Sequence, residues 1–164
     1  MISLIIMITL MCCKAPAWKV PLNYILLFAF TICESYLVAT ITSFYDPTSV
    51  LLSAFMALCL FGLLTLYAFV TKGDLKTWSV IVSICAILGI ILMFMSFFIH
   101  AKWLFLLICW VGLISACIYT IFDVYLIKDA HGLEYDDYII GALLLYTDLI
   151  MIFIYILEIF GNRE

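Results

Sequence analysis

Five stretches of this chain, residues 22–45, 50–71, 78–99, 103–127 and 138–160, each run for at least 22 residues with two or fewer charged side chains. A helix rises 1.5 Å per residue, so about 20 such residues cross the ~30 Å hydrocarbon core of a bilayer. Lipid offers no hydrogen bonds to a backbone, and a helix satisfies its own amides and carbonyls. Only 11% of the residues are charged and the mean hydropathy is +1.34, whereas a soluble domain carries roughly 25% charge. The fold class expected is therefore all-α: a polytopic transmembrane helix bundle, one domain over 1–164, with no linker to divide it. A sixth apolar stretch, "MISLIIMITLMCC" at 1–13, is too short to span. It has no charged n-region or small-residue cleavage site of a signal peptide, and reads as the tail of a helix whose beginning is missing.

The breaks between spans are short: "KAPAWK", "YDPTS", "TKGDLK", "HAK" and "KDAHGLEYDD". Trp18, Trp78 and Trp103 flank span ends, where interfacial indoles concentrate. The first, third and fifth breaks hold Lys14, Lys19, Lys72, Lys76 and Lys128, against Lys102 and Arg163 on the other side. Basic residues favour the cytosolic face, so those three breaks are expected in the cytosol, or in the matrix of a mitochondrion. The membrane expected is intracellular: endoplasmic reticulum, Golgi or mitochondrial inner membrane.

Net charge −4 and a pI near 4.9 argue against nucleic acid as a partner. Cys12, Cys13, Cys33, Cys59, Cys85, Cys109 and Cys117 lie in or beside apolar runs without zinc-ligand or redox spacing, and read as small buried hydrophobes. His100 and His131 have no second ligand at useful spacing. No nucleophile–base constellation and no phosphate-binding glycine loop is present, so neither an enzyme nor a cofactor is expected.

Three carboxylates interrupt the apolar runs: Glu34, Asp123 and Asp148. Each costs at least ~2.5–3.5 kcal/mol in a bilayer if ionised, so all three should face the bundle interior. Asp148 lies roughly 15 Å, and Glu34 roughly 18 Å, from the ends of their spans on the Lys128 side, but Asp123 only about 8 Å. Asp123 and Asp148 therefore differ in apparent depth. Gly112, Ser115, Ala116 and Tyr119 share the Asp123 face at helical spacing, and Gly112-xxx-Ala116 permits close helix approach. Gly141 and Ala142 offer a similar surface before Asp148. If the aspartates meet, they cannot both ionise cheaply. The pair becomes a proton-sensitive, transient site for a hard cation, with water, carbonyls or hydroxyls such as Tyr119 completing the 6–8 oxygen shell of calcium. The alternative is that each acid is protonated and bonded to a nearby hydroxyl, holding helices together. Glu158 near its helix end reads as interfacial, and Glu134, Asp136 and Asp137 as acids at a helix start. The last span, 138–160, is expected to be central and the most buried.

The stretch "EYDDYIIGALLLYTDLIMIFIYILEIFG" resembles the final helix of the Bax-inhibitor or lifeguard family, the transmembrane BAX inhibitor motif proteins, with its Tyr-x-Asp-Ile-x-x-x-Phe core. "FDVYLI" resembles the end of the preceding helix, usually Tyr-Asp-Thr-Gln-Leu; here Phe122 and Val124-Tyr125 replace Tyr and Thr-Gln. "VPLNYILLFAFTICESYLVATITSFY" and "LYAFVTKGDLK" resemble a third helix and the end of a fourth, so the likeness covers 14–161. It implies seven helices around a central last one. It also implies a calcium leak made pH-sensitive by paired aspartates, which fall on Asp123 and Asp148, and a link to suppression of cell death. Family members can pair this gate with an arginine on an early helix; the only arginine here is Arg163.

Two functions follow as expectations. One is a pH-sensitive calcium leak channel with Asp123, Asp148 and Glu34 on the ion pathway and Asp123 and Asp148 as transient calcium ligands, calcium being the permeant ion. The other is a non-conducting accessory subunit of a larger membrane complex built on the same bundle. Because 1–13 covers about 20 Å of a ~30 Å core, a protein partner is expected to cover the missing helix, burying more than ~1,000 Å².

Overall fold

The computed structural model describes residues 22–71, 73–98, 101–128 and 138–162. The segment 1–13, His100, the connection holding His131, Glu134, Asp136 and Asp137, and Arg163 lie outside the described residues. The described residues form five helices: α1 (Leu22–Thr42), α2 (Pro47–Val70), α3 (Leu75–Phe98), α4 (Lys102–Lys128) and α5 (Tyr138–Phe160). All five are long and apolar enough to span a membrane.

Local chemistry sets the helix ends. Pro47 opens α2, where its missing N–H is one the helix would not have paired. Asp74 caps α3: its Oδ1 accepts the Lys76 amide at 3.4 Å and its Oδ2 the Thr77 hydroxyl at 3.4 Å. At the end of α2 the Lys128 ammonium donates to the carbonyls of Phe69, at 2.6 Å, and Thr71, at 3.4 Å. It satisfies carbonyls the helix leaves unpaired and places a cation at the negative end of the dipole. The same contact fixes the last turn of α4 to α2. At the opposite end of the bundle the Asp46 amide donates to the Asn162 carbonyl at 3.0 Å, tying the α1–α2 corner to the end of α5.

The helices are apolar nearly all round, as lipid-facing helices are. Along α3, Ile84, Ile87, Ile90, Met93 and Phe94 are all exposed. With lipid as solvent, hydrophobicity gives no reason for two helices to meet; small side chains that let backbones approach do. Ser53 and Ala57 on α2 and Ala116 on α4 are buried, and Ala57 and Ala116 pack with Ile152 and Ile156 of α5. Ser53-xxx-Ala57 is a small-residue pair that the sequence reading did not single out. Of the expected small surface on α5, Gly141 is buried and Ala142 is exposed.

The last helix does not hold the centre alone. A third of α4 and of α5 is buried, 33% of each span, against 11% of α2 and none of α3. Helix α5 packs on α1, α2 and α4, and α4 packs on α2, α3 and α5. Helix α1 joins through Phe30, which packs on Leu143 and meets the Tyr146 ring edge-on at 6.2 Å. The interior is thus a seam between two antiparallel helices, one aspartate on each.

Candidate functional site

The seam is built from small residues on α4 and large ones on α5. A Cβ at Gly112 would lie 2.5 Å from the Tyr155 ring, so the absence of a side chain at Gly112 is what admits Tyr155 between the helices. Three residues earlier, the Cys109 thiol donates to Glu158 Oε2 at 3.3 Å, and Glu158 is three residues after Tyr155. These two contacts set the register.

By that register Asp123 stands level with residue 144, one turn short of Asp148. The carboxyls nevertheless meet, within hydrogen-bond reach of one another. Helical Cα–Cβ bonds tilt towards the helix N-terminus. In an antiparallel pair Asp123 leans towards the level of Asp148, and Asp148 towards the level of Asp123. Equal depth of the two Cα atoms is not required, and the apparent mismatch in the sequence is bridged by this tilt.

Both aspartates are buried, 9% and 8% exposed. Thr120, fully buried one turn before Asp123, stands beside Asp148. Its hydroxyl donates to the Ala116 carbonyl at 2.9 Å. Asp148 Oδ2 is buried with no hydrogen-bond donor among the described residues. A proton on that oxygen, or a cation bound to it, would meet its need for a partner. An unpartnered carboxylate oxygen in hydrocarbon would be expensive.

Tyr119 lies within electrostatic reach of Asp123. Glu34 is half-buried on α1 and is not among the groups that meet the two aspartates. Glu158, read from the sequence as interfacial, sits two residues from the end of α5 and accepts the Cys109 thiol of α4. Sequence reasoning also passed over Thr120 and Tyr155. Both were accessible to helical spacing, Thr120 at i−3 from Asp123 and Tyr155 at i+7 from Asp148. No group of three or more His, Cys, Asp or Glu side chains placed to hold a metal ion occurs among the described residues.

The family model for "Inhibitor of apoptosis-promoting Bax1" matches residues 1–164. The chain belongs to this family. It is similar to human Protein lifeguard 3, at 30% identity over 161 residues covering 94% of this chain and 52% of that protein. It is similar to mouse Protein lifeguard 4, at 33% identity over 140 residues covering 84% and 57%. Bax inhibitor 1 of Schizosaccharomyces pombe is 30% identical over 149 residues, covering 90% and 55%. The chain spans about half the length of these Bax-inhibitor and lifeguard relatives. No solved structure matches it.

Proposed function

We propose that this Bax-inhibitor family protein is a pH-sensitive calcium leak channel of an intracellular membrane, with Asp123 and Asp148 as its proton-controlled ion site. The observation that carries the reading is the buried contact of two carboxyls across α4 and α5, with Asp148 Oδ2 lacking a donor. Sharing one proton, the pair is a hydrogen bond that closes the seam. Without it, two anions repel each other and together offer up to four oxygens to a cation. Calcium needs 6–8, so water and hydroxyls complete the shell, and the ion is held briefly. Proton and calcium compete for the same oxygens, and flux rises with pH. The Lys128 end faces the cytosol, or the matrix if the membrane is mitochondrial. Restraint of Bax-driven cell death, the role in the family's description, is the cellular consequence we assign to this leak.

Calcium flux through the purified protein in liposomes tests the reading. Wild type should leak calcium increasingly as pH rises, and Asp148→Asn should leak at a rate that no longer depends on pH. If Asp148→Asn keeps the wild-type pH dependence, the titrating group lies elsewhere and the aspartate site is wrong. If wild type carries no calcium at any pH, the protein is a non-conducting subunit of a larger membrane assembly.

A further inference from the structure

The last turns of α4 are held from two sides. One face carries Asp123 to Asp148 of α5. At about 100° per residue, Ile121, Tyr125 and Lys128 lie roughly 160°, 200° and 140° round the helix from Asp123, and this opposite face meets the corner between α2 and α3. Ile121 and Tyr125 are buried with Ala68 of α2, and Trp78 of α3 packs against them. The Trp78 and Tyr125 ring centroids are 5.8 Å apart. Gly73, exposed in the corner, admits the Tyr125 ring: a Cβ there would lie 2.5 Å from two of its carbons and 3.0 Å from the Trp78 indole nitrogen. Lys128 closes the same contact through the carbonyls of Phe69 and Thr71. Leu145 of α5, three residues before Asp148, packs on the cluster as well.

Tyr125 fits this place poorly in one respect. The residue is only 4% exposed, and its hydroxyl is buried without a hydrogen-bond partner among the described residues. A hydroxyl buried unpaired disfavours the state that buries it, by about tenfold in an equilibrium constant. The packing of the ring and the desolvation of its hydroxyl therefore oppose each other. Tyr125 is three residues, about 4.5 Å, from Lys128 at the end of α4, so a short outward movement returns the hydroxyl to the membrane surface, where tyrosine keeps its ring in apolar surroundings and its hydroxyl wet. A contact balanced in this way opens locally, without the bundle unfolding.

Resting on the calcium-path reading above, we propose that Tyr125 is a positioning residue for the aspartate site: docked against Gly73 it holds the last turns of α4 to α5 and keeps Asp123 on Asp148, and its release frees those turns and opens the site. The α2–α3 corner is the catch of this latch, and the unpaired hydroxyl keeps the latch weak. Removing the hydroxyl and keeping the ring therefore tightens it, whereas crowding the ring at Gly73 loosens it. A tyrosine that only filled space would not give changes of opposite sign, because phenylalanine fills the same space.

Amide hydrogen exchange of residues 121–128, and calcium flux at one fixed pH, both on the full chain in liposomes, test the latch. In Tyr125→Phe exchange and flux should each fall, by about tenfold. In Gly73→Ala both should rise by about tenfold, the new Cβ forcing the ring from its place. A Tyr125→Phe protein that exchanges and conducts like wild type, or faster, overturns the inference, and does so even if Gly73→Ala fails to reconstitute. Exchange that shifts as expected while flux stays at the wild-type rate overturns it too, since Tyr125 would then not position Asp123. Wild type without calcium flux defeats the channel reading instead. The latch is then decided by exchange alone: slower exchange in Tyr125→Phe supports it, and unchanged exchange overturns it.

Discussion

Gly112→Val should destabilise the bundle by about 1–3 kcal/mol, the usual cost of forcing extra volume into a packed interior. The Cβ alone would lie 2.5 Å from two ring carbons of Tyr155 and 2.9 Å from its hydroxyl oxygen, so the ring must leave the seam. Once it leaves, α4 and α5 separate along the stretch that holds the aspartates in register, and the pH response of calcium flux should broaden or vanish as well. Denaturant unfolding in detergent measures the first effect. Tyr155→Ala in the Gly112→Val background should recover part of the loss, since contacting residues couple by 0.5–3 kcal/mol. Helix glycines Gly62 and Gly89 serve as controls. A Cβ at either meets nothing within 4 Å, and replacing a helix glycine with alanine is favourable by roughly 0.5–1 kcal/mol. If Gly112→Val is as stable as Gly89→Ala, Tyr155 does not occupy the seam.

The contrast among these glycines shows what the sequence could reveal. All-helical architecture was legible from the apolar runs because bilayer thickness and the backbone's need for hydrogen bonds leave little else for a chain of this composition. Contact between Asp123 and Asp148 was legible in part: both acids had to face inward, and Gly112-xxx-Ala116 pointed α4 at a close neighbour. Counting residues from the span ends nonetheless put them at different depths. Depth counted along a chain ignores the register of packed helices and the tilt of each side chain, and these bring the two carboxyls together. The partner of Glu158 was hidden for a related reason: a position near a helix end points to the interface and gives no sign of Cys109, 49 residues away in sequence. The share of the interior held by α4 was also hidden, since an apolar residue facing lipid and one facing protein look alike in sequence.

Raising the pH should weaken the purified protein, and calcium should reverse the weakening. Two ionised carboxylates ~4 Å apart repel by about 4 kcal/mol at an effective dielectric constant of 20, a large fraction of a typical folding free energy of about 5–15 kcal/mol. The sign follows from the contact: a shared proton makes it attractive, and losing that proton makes it repulsive. Thermal unfolding in detergent should therefore show a falling midpoint as pH rises through the titration of the pair, with the loss recovered on adding calcium. In Asp148→Asn a single buried carboxylate remains: the repulsion is gone while the cost of ionising a buried group stays, so the midpoint should fall less steeply with pH than in wild type and calcium should recover little of the fall. A wild-type midpoint that rises with pH, or an Asp148→Asn profile that falls like wild type, would mean that the two carboxyls do not face each other as ionisable partners.

Infrared spectroscopy of the reconstituted protein, with aspartate carboxyls isotopically labelled, observes the shared proton itself. On the acidic side of the flux midpoint one protonated aspartate band is expected per molecule. It should fade as pH rises in step with the onset of calcium flux, and fade at fixed pH when calcium is added, because proton and cation compete for the same oxygens. In Asp148→Asn the calcium-sensitive band should be gone. A protonated aspartate band that ignores calcium, or one that persists unchanged in Asp148→Asn, would contradict control of the pathway by a proton held between Asp123 and Asp148.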